Sequence, residues 1–219
     1  LMRHWHTTPF EMVEFKFHVK VPIFVARQWL RHRTASVNEL SARYSVVKDD
    51  FWIPSSYRHQ STLNKQGSES MQFEDEAANM SQQNSCRIAF DVYDGLLSRG
   101  ISRELARAHL PQSAFTEFYW KIDLHNLFHF LRLRMDDHAQ KEIQECSVAM
   151  FELIKPFVPL ACEAFLDYRV NSVTLTGPEV KALQTGSKDH LSKGERAEYD
   201  KKCQQLGLTG STKSVEEST

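Results

Sequence analysis

Between Arg27 and Tyr44 the sequence RQWLRHRTASVNELSARY sets four arginines, Arg27, Arg31, Arg33 and Arg43, against a single acid, Glu39. A guanidinium fork meets two oxygens of a phosphate or carboxylate at once. Ser36, Asn38 and Ser41 add short hydrogen-bonding groups to the same stretch. In a chain of formal net charge −1, this concentration of positive charge reads as a local anion site. A solvated basic helix end followed by a loop is the other reading, because arginine is also favoured near a helix C-terminus.

The remaining reactive side chains give weaker signals. His125 and His129 lie one helical turn apart, the spacing of zinc ligands, with His138 downstream. No glutamate stands between them as a metalloprotease helix requires, and the chain holds ten histidines in all. No metal site is therefore assigned. Trp29 and Tyr44 interleave with the basic stretch as bases on nucleic acid would need. The near-zero net charge and the lack of a second basic face argue against that use. The four cysteines, Cys86, Cys146, Cys162 and Cys203, form no C-x-x-C pair and no disulfide framework, which suits a reducing cytoplasm. Ser41 has no adjacent general base that would make it a nucleophile. Taken alone, Arg107 reads as a buried arginine paired with an acid, and Arg134 as a surface arginine beside Asp136 and Asp137.

Hydrophobic periodicity supplies the elements that must hold these groups. Val13 to Val19 alternates apolar and polar, the pattern of a half-buried strand. Pro22 opens a helix from Ile23 to about Arg31. Thr34 to Asn38 reads as a loop, Glu39 to Val47 as a short strand and Pro54 to Gly67 as a long polar loop. Glu69 to Ser98 is expected to be one long helix stopped by Gly100, and Ser102 to Leu110 a short one ended by Pro111. Ala114 to Ile122, rich in aromatics and threonine, predicts a strand. Leu124 to Met135 carries the apolar stripe Leu124, Leu127, Phe128 and Leu131 of an amphipathic helix. Helices over His138 to Val158 and Leu160 to Val170 follow, and from Gly177 the chain reads as a loosely attached polar tail. The fold class is α+β, a helix-rich domain with a small antiparallel sheet. A folded domain is expected over 1–176 and the tail over 177–219. No stretch reaches the roughly 20 apolar residues of a membrane helix.

The motif RHR-x-x-S-x-N-E-x-S-x-R-Y stands complete as Arg31, His32, Arg33, Ser36, Asn38, Glu39, Ser41, Arg43 and Tyr44. With the H-x-T-P-F run from His6, the run from Phe17 to Trp29 and the L-R-M-D-D-H-A-Q run from Leu133, the chain resembles flavin-dependent thymidylate synthases over roughly Leu1 to Arg169. The resemblance implies a homotetramer with active sites shared between subunits, and a family strand and helix ahead of Leu1. It implies dTMP synthesis from dUMP, with methylene from 5,10-methylenetetrahydrofolate, hydride from reduced FAD, NADPH as reductant and no enzyme nucleophile.

Residue by residue, the resemblance implies that Gln28, Trp29, Leu30 and Arg31 contact dUMP. Arg31, His32 and Arg33 lie along FAD, and Glu39 touches flavin and nucleotide. Leu40, Ser41, Ala42 and Arg43, from another subunit, close on the dUMP phosphate. Thr8 meets FAD, His6 lies near the folate and nicotinamide path, and Arg107 binds dUMP. Arg134 faces the uracil ring as the catalytic arginine. Asp123, Leu124, His125 and His129 line FAD, although some relatives carry Asn or Arg in this stretch. A homologue that binds nucleotide without turnover is the remaining alternative, and the complete motif weighs against it.

Overall fold

The computed structural model describes residues 1–62 and 67–208. It divides at Phe165 into two compact units. In the first unit the order is α1 (Thr8–Glu11), β1 (Glu14–Pro22), α2 (Ile23–Trp29), β2 (Ser36–Glu39), β3 (Tyr57–Gln60), β4 (Ser68–Phe73), α3 (Glu76–Ser98), α4 (Arg103–Ala106), β5 (Phe115–Asp123), α5 (Leu124–Arg134), α6 (Lys141–Ile154) and α7 (Pro159–Phe165). This is the expected helix-rich α+β architecture with small antiparallel sheets.

β5 is the central strand of an antiparallel sheet ordered β1-β5-β2. Phe17 on β1 and Val37 on β2 both pair with Trp120. Alternation sends Phe118, Trp120 and Ile122 inward, where they are buried. Trp29, at the end of α2, is 1% exposed. Its ring lies edge-on to Phe118 at 5.8 Å and to Trp120 at 5.4 Å, and tilted over Phe130 at 4.9 Å. Phe130 and Trp120 are also 4.9 Å apart. These aromatics tie α2, β5 and α5 into one block. A second cluster joins α3 to the rest through Phe90, Tyr93, Ala106 and Ala114. There the Tyr93 hydroxyl accepts a hydrogen bond from the Val47 N–H at 3.1 Å.

Several boundaries differ from the periodicity reading. Ser36–Glu39 is a strand rather than a loop. All four residues are exposed, so no apolar period marks it, and it exists because β5 offers a free edge. The strand expected over Glu39 to Val47 is instead a turn past Glu39, with the Tyr44 and Ser45 N–H groups both donating to the Ser41 carbonyl at 3.1 Å. Within the loop expected over Pro54 to Gly67, and the helix expected from Glu69, β3 and β4 form a hairpin. α3 then begins at Glu76, where the Asp75 carboxylate caps it by accepting from the Ala78 N–H at 2.9 Å. Leu63–Gln66 of that loop lie outside the described residues. Ser102 to Leu110 is one α-turn, α4, followed by a 3-10 turn, Arg107–His109. α6 starts only at Lys141, because His138 is drawn into a turn with Asp136.

The second unit corrects the reading of the tail. After a π-turn, Leu166–Val170, come α8 (Gly177–Thr185) and α9 (Lys193–Gln205), each opened by a capping box. Ala182, Leu191 and Tyr199 form a small core beside a Glu179–Lys202 ion pair at 2.8 Å. The polar composition reflects two thin helices with one buried stripe, not an unfolded chain. Thr209–Thr219 lie outside the described residues. Among the described residues no helix is long and apolar enough to cross a membrane.

Candidate active site

α2 ends at Trp29, and the chain leaves it through Leu30, Arg31, His32 and Arg33 on the way to β2. Arg31 and Arg33 are exposed, and neither side chain has an ion-pair or hydrogen-bonding partner among the described residues. His32 turns inward and is half-buried. Its imidazole lies edge-on to Phe130 at 4.8 Å and to His129 at 6.1 Å. Arg134, the last residue of α5, is one helical turn past Phe130 and shares its face. Its Nε–H donates to His32 Nε2 at 3.1 Å. The motif and the distant arginine thus meet 102 residues apart in sequence.

The electrostatics of this contact are unusual for an arginine. No carboxylate pairs with Arg134 among the described residues, so its charge is uncompensated. Burial pulls its guanidinium down from the ordinary arginine value, yet such a group stays charged at neutral pH. Burial, then the charges of Arg134 and His129, push His32 down to about 4. The imidazole is therefore neutral near pH 7 and accepts through Nε2. A half-buried cation held, among the described residues, only by a neutral ring can take an anion supplied from outside. Arg134 is not the surface arginine its neighbours suggested: Asp136 is engaged with His138 at 2.6 Å.

A second group forms around the motif's far end. The Glu39 carboxylate accepts from the Thr116 hydroxyl at 2.6 Å, and the Leu40 N–H donates to the Glu117 carbonyl at 2.9 Å. Ser41 Oγ accepts from the Arg43 N–H at 3.3 Å, closing the turn in which Ala42 is half-buried. Arg43 pairs with Glu104 of α4 at 2.6 Å. Arg107, one turn beyond Glu104, is exposed and has no partner among the described residues, so it is not the buried, paired arginine its sequence context suggested.

The other candidates divide by what their side chains can reach. Thr8 and His6 are exposed on and before α1. Trp29 and Leu124 are buried in the core, so only their main chains can touch a ligand. Gln28 Oε1 is buried without a hydrogen-bond partner among the described residues, a free acceptor near the end of α2. Asp123 caps α5, accepting from the Asn126 N–H at 2.9 Å and its side-chain amide at 2.6 Å. His125 is half-buried and His129 exposed. Among the described residues no three metal-ligating side chains converge. Glu104, Thr116 and Phe130 were not signalled by the sequence. Only Phe130 had a local cue, its one-turn spacing before Arg134.

As a cofactor test, Arg31 and Arg33, without side-chain partners among the described residues, fit a diphosphate, and exposed His129, its ring 6.1 Å from that of His32, offers a ring donor, with half-buried His125 one turn before it on α5. Asp123 fits less well, because its carboxylate is spent on the helix cap.

The sequence model of the family described as thymidylate synthase complementing protein matches residues 1–160. A flavin-dependent thymidylate synthase of Dictyostelium discoideum is 54% identical over 207 residues, covering 92% of this chain and 68% of the relative. Another, of Thermus thermophilus, is 48% identical over 211 residues, covering 96% and 75%. Among solved structures, the UMP/dUMP methylase PolB of Streptomyces cacaoi bound with 5-Br dUMP superposes with a TM-score of 0.72 at 33% identity, covering 78% of this chain and 77% of that one.

Proposed function

Because this chain belongs to the thymidylate synthase complementing protein family, we propose that it is a flavin-dependent thymidylate synthase converting dUMP to dTMP. The methylene comes from 5,10-methylenetetrahydrofolate and the reducing equivalents from NADPH. FAD, when bound, supplies the hydride that this chemistry requires.

One observation carries the residue-level reading: an arginine half-buried on a neutral histidine, next to two further arginines, none of the three with an acid partner among the described residues. Arg134 stabilises negative charge on the pyrimidine without exchanging a proton. Gln28, with its free buried acceptor, and the main chain through Arg31 orient dUMP. Arg31 and Arg33 neutralise the FAD diphosphate, with Thr8, His125 and His129 beside it. Glu39 lies between flavin and nucleotide. No thiolate is called for: burial raises the thiols of Cys146 and Cys162, away from nucleophilic form.

The same reading makes the enzyme a homotetramer in which Ser41, Arg43 and Arg107 close on the phosphate of a site shared between copies. Its support is the exposed apolar stripe of α3, Met80, Ile88 and Val92, which a lone chain leaves in water. Four unpaired cysteines favour residence in the cytoplasm.

The test is anaerobic reduction of the purified flavoprotein by NADPH, then addition of dUMP and 5,10-methylenetetrahydrofolate with product analysis. dTMP in proportion to bound flavin is expected. A colourless protein, or reduced flavin that yields no dTMP, refutes the assignment. Light scattering showing a species other than four copies removes the tetramer.

A further inference from the structure

The arginine expected to face the uracil ring needs a fixed orientation, because a guanidinium on four rotatable bonds otherwise samples many. In this chain its anchor is the histidine of the RHR motif. The Arg134 Nε–H points at His32 Nε2 at 3.1 Å. The imidazole is braced on Phe130 at 4.8 Å, and Phe130 is wholly buried between Trp29 and Trp120, each 4.9 Å away. The chain of contacts runs from the buried aromatic block of Trp29, Trp120 and Phe130 to the guanidinium through one ring.

We propose that His32 is a positioning residue for Arg134: by accepting from Nε it fixes the guanidinium plane and leaves both terminal NH2 groups free for the pyrimidine. A carboxylate in this place would hold the arginine more tightly but cancel its charge, and a cationic side chain would expel it. A neutral acceptor orients the group and leaves the charge intact. The neutral state is secured by the surroundings, because burial, Arg134 and His129 all disfavour the imidazolium. The Nε2 acceptor role requires the hydrogen on Nδ1, so His32 is not a general acid in this scheme. The inference rests on the thymidylate synthase reading only for what the freed NH2 groups touch; the His32–Arg134 contact stands apart from it.

Two substitutions separate orientation from packing. His32→Leu keeps apolar bulk against Phe130 and removes the acceptor. His32→Gln places an amide oxygen near the Nε2 position. In the FAD-loaded enzyme, dUMP affinity is read from the change in flavin absorbance and turnover from dTMP formed. His32→Leu is expected to weaken dUMP binding or turnover by about tenfold to a hundredfold, the worth of a hydrogen bond to a charged group. His32→Gln should recover to within about threefold of wild type, since an acceptor is restored. In an Arg134→Ala background, His32→Leu should change dUMP affinity no further, because the partner it orients is gone. A readout independent of catalysis is the Arg134 Nε–H signal in arginine-labelled protein, assigned by its loss in Arg134→Lys. It should be protected from exchange in wild type and His32→Gln and unprotected in His32→Leu. The proposal is overturned if His32→Leu behaves as wild type, if His32→Gln fails with it, if its effect persists without Arg134, or if both variants lose FAD. Failure of the wild type to make dTMP, with the Nε–H still protected, would sink the enzymatic reading and leave the contact standing.

Discussion

Arg134→Ala is the substitution on which the active-site reading depends most. In the fold it removes one hydrogen bond to a neutral ring, at 3.1 Å, and relieves a desolvated charge. The first loss is worth about 0.5–1.5 kcal/mol. Loss of a cation from the last turn of α5 adds about 0.3–1 kcal/mol, and relief of desolvation acts in the opposite direction. Net stability should therefore move by about 1 kcal/mol or less. The chemistry should suffer far more. A preorganised donor aimed at developing charge is worth about 10²–10³ in rate, or roughly 2.7–4 kcal/mol, and among the described residues no second arginine side chain hydrogen-bonds His32 to replace this one. The assay is single-turnover dTMP formation from pre-reduced enzyme, with flavin content and thermal midpoint measured on the same preparation. We expect turnover to fall at least about a hundredfold with FAD retained at wild-type stoichiometry. Arg134→Lys should not rescue, because an ammonium has no Nε–H to offer His32 and no planar fork. Turnover within about tenfold of wild type, or loss of FAD and stability in parallel with activity, would refute the reasoning.

Trp29→Ala removes a 1%-exposed indole from the block with Phe118, Trp120 and Phe130. It should cost about 3–5 kcal/mol in denaturant unfolding, and a selective loss of dUMP affinity with stability intact would contradict the core role. Asp123→Ala should lower stability by about 0.5–2 kcal/mol through loss of the α5 cap, and Asp123→Asn should restore most of it; equal losses in both variants would show that the charge matters, not the cap. His32 titrates at about 4 in the fold against an ordinary 6.5, so the unfolded chain takes up its proton first as pH falls. Its stability contribution is therefore complete above about pH 6.5 and lost on acidification toward about pH 4. Wild type should lose more stability than His32→Gln between pH 7 and pH 4, and parallel urea midpoints across that range would contradict the assignment.

The elements nearest the site were legible where a periodic pattern is strong. β1, β5 and α5 fall close to their expected bounds because alternation and the 3.6-residue stripe record which face is buried. β2 was not legible, since its four residues are all exposed and only pairing to β5 makes them a strand. The β3–β4 hairpin was hidden because β3 lies in a polar stretch read as loop and β4 in an apparent helical register, and the Asp75 cap that separates it from α3 is visible only once the Ala78 N–H is seen to need it. Composition misled over α8 and α9, where a buried stripe of Ala182, Leu191 and Tyr199 suffices to fold a polar stretch.

The amino-acid sequence alone determined the fold class, the concentration of arginine between Arg27 and Tyr44 and the family motif, because residue type and short-range spacing carry these. Only the tertiary structure decided that Arg134 rests on His32, that Arg43 is held by Glu104, that Arg31, Arg33 and Arg107 have no acid partner among the described residues, and that Trp29, Leu124 and Asp123 spend their side chains on the fold. Those outcomes depend on which groups meet across 61 or 102 residues of chain. Such meetings are set by the packing of α2 and α5 on β5 and of α4 on α3, and no local pattern encodes them.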